Sequence, residues 1–149
     1  MSSMPTPFAR FDDRSKRAIA LAQNEAVRLG HTWLGTEHLM LALTCAGGPA
    51  SDALTSLHLD LDIARPAVET IVPRVEGTPT EVTLTPRMKT LIERANRIAD
   101  DRSLPAVTPV VLLLALVADP DGVGTQVLSQ FGATPQKVRE AVDRLTPPS

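Results

Sequence analysis

The sequence predicts an all-α fold of two four-helix repeats related by a pseudo-twofold axis. Three observations carry that reading. Apolar residues return at three- and four-residue steps, the period of one helix face. No window alternates in the way a half-buried strand requires. The whole pattern then restarts: a shift of 73 lays Phe11 on Leu84, Arg14 on Arg87, Lys16 on Lys89, Ile19 on Ile92, Ala22 on Ala95 and Ala26 on Ala99. The same shift lays Leu39, Leu41, Ala42 and Leu43 on Leu112, Leu114, Ala115 and Leu116. A shift of 74 lays Leu54 on Leu128, Arg65 on Arg139 and Ala67-Val68 on Ala141-Val142.

The elements follow in order. Phe11, Ser15, Ala18, Ala22, Ala26 and Leu29 form the first stripe. Asp12 and Asp13 stand at its start, where carboxylates complement the helix dipole, and Gly30 stops it. After a short link, 31–35, a second helix begins near Thr36 and runs through Leu39, Leu41 and Leu43 until Gly47, Gly48 and Pro49. Residues 50–57 read as a third helix and 64–72 as a fourth, with Pro66 in its first turn, where a missing N–H costs least. Residues 73–83, with Gly77 and Pro79, have no apolar period and read as a linker. Leu84, Met88, Leu91, Ala95 and Ile98 then restart the stripe, with Thr85-Pro86 as cap and first-turn proline. Thr108-Pro109 opens the apolar helix 110–118, which the run from Asp119 to Gly122 stops. Residues 124–131 and 135–145 complete the second set. The expected organisation is an N-terminal segment 1–10, a first repeat 11–72, the linker 73–83 and a second repeat 84–146, together one globular domain.

Composition narrows the function. The chain has 149 residues, 43% of them hydrophobic and 21% charged, with a formal net charge of −2. That balance is wrong for a disordered chain and gives no basic footprint for nucleic acid. One cysteine, Cys45, cannot form an internal disulfide, which suggests a reducing compartment. The longest apolar run, 110–118, is far short of the roughly 20 residues a spanning helix needs. No export signal precedes it, so a cytoplasmic protein with no membrane partner is expected. A unit of about 70 residues is marginal alone, so two packed units are the sensible solution. The groove between such halves is a natural binding site.

Several ordered motifs resemble the Clp N-terminal repeat domain, closest to that of ClpC. They are Arg10-Phe11-Asp12-Asp13-Arg14, Leu21-Ala22-Gln23-Asn24-Glu25-Ala26, Leu29-Gly30-His31 and the run from Gly35-Thr36-Glu37-His38 to Leu43. Leu84-Thr85-Pro86-Arg87-Met88-Lys89 adds the second repeat, so the resemblance covers about 8–145. It implies a substrate- and adaptor-receiving module of the Hsp100 unfoldases, with no chemistry of its own. No GxxxxGK[ST] phosphate loop occurs, so ATP hydrolysis is not expected. The expectation is a stand-alone, non-enzymatic module that binds tagged or unfolded proteins and peptides, adaptors or cyclic peptide antibiotics. An accessory protein docking on the Clp peptidase or the unfoldase ring is the alternative. No cofactor is implied.

The resemblance also implies sites. ClpC N-domains hold phosphoarginine at two related positions, each with the Glu of a Gly-Thr-Glu-His motif gripping the guanidinium. A carboxylate suits this because it accepts two parallel N–H bonds. The first motif is intact, with Glu37; the competing reading of Glu37 is a first-turn acid that only complements the dipole. In the second motif, Thr108-Pro109-Val110-Val111, Val110 stands at the Glu position and cannot accept a hydrogen bond. The second phosphoarginine site is therefore expected to be lost. The pocket that takes cyclic peptides in actinobacterial ClpC maps to Phe8, Leu84, Lys89 and Glu93, with Leu84 where phenylalanine is usual. Lys89 and Glu93 also read as a surface ion pair at i, i+4, and Phe8 as a core plug. His31, His38 and His58 lack a spacing that sets two of them on one helix face with a carboxylate, so no metal is expected. His38 reads as a satisfied structural histidine, Cys45 as a buried inert thiol, and Trp33 as packing.

Overall fold

Side-chain caps set where the helices begin. Asp12, Asp60, Thr85, Thr108 and Thr134 each accept the backbone N–H three residues on, removing one unpaired donor from a first turn. A computed structural model describes residues 8–146, so residues 1–7 of the expected N-terminal segment lie outside it. It contains eight helices: α1 (Asp13–Arg28), α2 (Thr36–Cys45), α3 (Gly48–Ser56), α4 (Leu61–Ile71), α5 (Pro86–Asp101), α6 (Pro109–Val117), α7 (Val123–Gln130) and α8 (Pro135–Leu145).

The two central helices, α2 and α6, are apolar all round because both are surrounded. Every residue from Leu39 to Leu43 and from Val111 to Val117 is buried. α1 packs on α2 and α5 on α6, but α7 also packs on α2, α3 on α8 and α4 on α7. The repeats therefore interlock around one core. Gly124 makes the α7–α2 contact possible: a Cβ there would lie 2.7 Å from the Thr36 carbonyl oxygen. Its N–H instead reaches Thr36 Oγ1 at 3.1 Å.

Two short backbone pairings fasten the halves. β1 (Trp33–Leu34) and β2 (Thr83–Leu84) run parallel, Leu34 opposite Leu84. Phe11 forms a single parallel bridge to Val107. These are the same joint twice, because a shift of 73 carries Phe11 to Leu84 and Leu34 to Val107. The next hydrogen bonds match too: Thr85 N–H donates to Leu34 O and Asp12 N–H to Val107 O, both at 3.1 Å. Phe11 and Leu84 thus precede their helices and sit in extended chain, rather than opening the helical stripes.

Two further boundaries differ from the sequence reading. α4 starts three residues early, at Leu61, because Asp60 caps it; Pro66 therefore lies in the helix interior and not in its first turn. The N–H it lacks leaves the Asp62 carbonyl without its helical donor, at an exposed turn where water can serve. Gly48 and Pro49, expected to end α2, instead begin α3, where proline is pre-organised.

The helix ends repeat as well. α1 closes in a Schellman motif, with Gly30 at φ +74°, Gly30 N–H on Val27 O and His31 N–H on Ala26 O. α5 closes identically, but Ser103 takes the left-handed position at φ 55°. α3 and α7 form the second such pair, with His58 (φ 67°) standing where Gly132 (φ 80°) stands. Ser103 and His58 are both exposed. Ser103→Gly and His58→Gly are each expected to stabilise the fold by about 0.5–1 kcal/mol. The check is a higher urea midpoint at unchanged m, and a lower midpoint in either variant would contradict it.

Candidate functional site

The pseudo-twofold axis builds two cavities from equivalent parts. Each lies where three helix N-termini converge between the repeats. The smaller, about 350 Å³, is lined by Thr36 and Glu37 of α2, Thr85, Pro86 and Arg87 at the start of α5, and Val123 of α7. The larger, about 650 Å³, gathers the starts of α1, α3 and α6. Val110 lines it where Glu37 lines the other.

Glu37 is held by its own turn. It is 5% exposed. Trp33 Nε1 donates to Glu37 Oε2 at 3.2 Å. The carboxylate folds back over Gly35, where an added Cβ would fall 2.2 Å from Oε1. Among the described residues it has no cationic partner within salt-bridge distance. A nearly buried carboxylate with one neutral donor retains acceptor capacity for a cation. Arg87, across the pocket, is already engaged: its Nη1 donates to both oxygens of Asp119, at 2.9 and 2.8 Å. Burial of Asp119 opposes its ionisation, but Arg87 and the Asp121 N–H hold the carboxyl below its ordinary range.

A histidine pair anchors Trp33. His31 stacks on the indole with ring centroids 4.2 Å apart. Gly35 N–H donates to His38 Nδ1 at 2.9 Å, so that nitrogen is an acceptor. The Pro73 carbonyl accepts from His31 Nε2 at 2.9 Å, so that nitrogen carries a proton. The remaining contact, His38 Nε2 to His31 Nδ1 at 2.9 Å, is then a donation from His38. Both rings are neutral and every ring nitrogen is used. His38 is thus a satisfied structural histidine, with a pKa pushed down to about 3 by burial and then by His31. Its sequence partner in the other repeat, Val111, supports no such network.

A second polar joint, absent from the second repeat, ties α1 to α4. Glu25 accepts from Arg65 at 3.0 and 2.7 Å and from Arg28 at 3.2 and 3.1 Å. Burial opposes its charge, but the two guanidinium groups prevail and lower the carboxyl pKa.

The other sequence-derived positions are more scattered. Phe8 is half-buried and packs edge-on against Phe11, with centroids 5.2 Å apart. Leu84 is half-buried in β2. Lys89 and Glu93 are exposed one turn apart on α5, and no salt bridge joins them. None of these four residues lines either inter-repeat cavity. Cys45, expected to be buried, is an exposed residue at the end of α2, with its sulfur part-buried against the Leu41 and Ala42 carbonyls. Burial of its sulfur and the Glu25 charge nevertheless push the thiol pKa up. Among the described residues no group of His, Cys, Asp and Glu could hold a metal ion, and no helix is long and apolar enough to cross a membrane.

Eight helices, one duplicated joint and paired pockets at convergent N-termini define a two-repeat helical domain. The chain belongs to the Clp repeat (R) N-terminal domain family, which matches it twice, over residues 10–104 and 83–148. It is 37% identical over 140 residues to the chloroplastic chaperone protein ClpC of Pisum sativum, covering 93% of this chain and 15% of that protein. It is 36% identical over 139 residues to the negative regulator of genetic competence ClpC/MecB of Bacillus subtilis, covering 93% and 17%. The chain therefore spans only a small part of the curated relatives it matches. The crystal structure of the N-terminal domain of ClpD from Arabidopsis thaliana superposes with a TM-score of 0.77 at 27% identity, covering 92% of this chain and 98% of that one. A complex of the ClpV N-domain with VipB peptide shares the fold, with a TM-score of 0.71 at 17% identity, over 93% of this chain and 88% of that one.

Proposed function

We propose that the chain is a non-enzymatic receiving module of the Clp protease system, working in the cytoplasm. It binds peptide segments of tagged or unfolded substrates or of adaptors, and so modulates ClpC-dependent proteolysis. The observation that carries this is Glu37: a nearly buried carboxylate with no cationic partner among the described residues, at a pocket of about 350 Å³. A guanidinium meets that carboxylate in a fork, and a phosphate on it meets first-turn N–H groups at the helix N-termini. Phosphoarginine carries both groups.

The test is a titration with a phosphoarginine peptide, read by Trp33 fluorescence. Trp33 is the sole tryptophan and donates to Glu37, so the signal is local. Glu37→Ala is expected to weaken binding at least tenfold, since charge-assisted hydrogen bonds contribute about 1.5–3 kcal/mol. Gly35→Ala is expected to weaken it as well: φ at Gly35 is −110°, which alanine accepts, while the new Cβ displaces the carboxylate without removing it. Binding unchanged in both variants would refute the site.

The surface of Phe8, Leu84, Lys89 and Glu93 is proposed as a separate site for cyclic peptides. The lack of a salt bridge between Lys89 and Glu93 supports it, because both charges face solvent ready for a ligand. The second functional reading, docking on the Clp peptidase or unfoldase ring, draws support from Phe131, 42% exposed just past α7.

A further inference from the structure

The larger cavity is not a damaged copy of the smaller one; its charge is reversed. In the smaller cavity Glu37 supplies a carboxylate and Asp119 neutralises Arg87. In the larger, Val110 replaces the glutamate, and Ala46 stands where the repeat places Asp119. Arg14, the counterpart of Arg87, therefore has no counterpart of Asp119. Among the described residues neither Arg14 nor Arg102, both of which line the cavity, makes a salt bridge or a side-chain hydrogen bond. The Arg14 guanidinium lies over the bare backbone of Gly48, where an added Cβ would be 2.6 Å from Nη1. That places a cation at the positive end of α3, a repulsive arrangement unless an anion lies between them. The one acid in the lining, Asp12, already caps α1 through the Ser15 N–H at 2.8 Å. The rest of the wall includes Val110, Val111, Leu104 and Pro49, so the volume is apolar beneath a cationic rim.

The geometry points to the larger cavity as a second peptide site, one that takes an apolar side chain next to a carboxylate. It rests on the peptide-receiving reading of the domain but uses none of the Glu37 pocket. The apolar side chain fills the space that the glutamate-to-valine change opens. The carboxylate bridges Arg14 and Arg102 at the starts of α3 and α6. The two halves of one fold then select opposite charges, and an extended peptide with basic and acidic groups could address both.

Fluorescence anisotropy with three labelled Gly-Ser peptides tests this, carrying a single Leu-Glu, Leu-Lys or Ser-Glu pair. The wild type is expected to bind the Leu-Glu peptide at least tenfold more tightly than either other, with a preference that shrinks as salt rises. Arg14→Gln/Arg102→Gln is expected to abolish that preference; both residues are exposed, so the fold is untouched. Val110→Glu is expected to invert it toward Leu-Lys. Equal binding of Leu-Glu and Leu-Lys by the wild type overturns the proposal, as does a preference that survives the double substitution. Loss of Leu-Glu binding in Glu37→Ala alone would overturn it while leaving peptide reception standing. Failure of every peptide, the phosphoarginine one included, would overturn both.

Discussion

Gly30→Ala is expected to cost at least about 3 kcal/mol, a fall in Tm on the order of 10 °C for a chain of this length. Two separate penalties add. The residue sits at φ +74°, where a side chain strains against its own carbonyl. A Cβ there would also fall 1.8 Å from the Val75 carbonyl oxygen and 2.8 Å from its carbon. Neither neighbour is a flexible tip that can swing aside. Val75 is pinned from the other side by its N–H on the Leu29 carbonyl at 2.8 Å. Gly132→Ala separates the two terms: φ there is +80°, with nothing within 4 Å of the added carbon. That variant should lose only about 1 kcal/mol, the conformational part alone. Urea unfolding of the pair decides it, and similar losses in both would show that the Val75 contact yields. The consequence reaches function, because Gly30 hands the chain directly to His31 and Trp33. Gly30→Ala should therefore weaken phosphoarginine peptide binding even at temperatures where the protein is folded.

Most of the helices were readable because their starts or stops are marked locally, by a capping Asp or Thr before an apolar stripe as at α1, α5 and α6, or by glycine and proline as at the end of α2. What long-range contacts decide was not. Phe11 and Leu84 keep the helical spacing to Ser15 and Met88, so periodicity alone includes them. They lie in extended chain because Val107 and Leu34, far away in sequence, offer backbone partners. Pro66 invited a late start for α4, since nothing local reveals that Asp60 outcompetes it as the cap. In the site, Glu37 was visible as a motif, and its bond to Trp33 follows the i, i+4 spacing of the two residues. Arg14 was visible only as a repeated motif residue, and nothing in the spacing or the repeat singles out Arg102. Their shared cavity depends on how α1, α3, α5 and α6 meet, which no single segment encodes. The missing carboxylate opposite Arg14 is legible in the sequence, since the same register that aligns Val110 with Glu37 aligns Ala46 with Asp119.

Lowering the pH from 7 to 5 is expected to remove about 2 kcal/mol of stability through one residue, His38. In the folded protein its pKa is pushed down from 6.5 to about 3, by burial and then by His31, with Glu25 opposing weakly. The unfolded chain binds a proton at the ordinary histidine pKa while the native ring refuses it. Below pH 6.5 the unfolded state thus gains protons that the native state lacks, and stability falls by about 1.4 kcal/mol per pH unit until roughly pH 3. The hydrogen bonds explain the refusal. A second proton on His38 would have to sit at Nδ1, where it would face the Gly35 N–H. Glu25 does not mimic this effect, because its lowered carboxyl pKa forfeits stability only below about pH 4.5. His38→Leu supplies the test. It should be less stable than the wild type at pH 7, having orphaned the Gly35 N–H and the His31 acceptor. Its stability should nonetheless vary much less between pH 6.5 and 5, and the two proteins should converge as acid is added. A parallel decline in both would place the sensitivity elsewhere. Since His31 stacks on Trp33 and Trp33 holds Glu37, protonation of His38 in the folded protein, which needs a pH near 3, should release the indole. Phosphoarginine binding at Glu37 should then weaken over the pH range in which the histidine pair is lost.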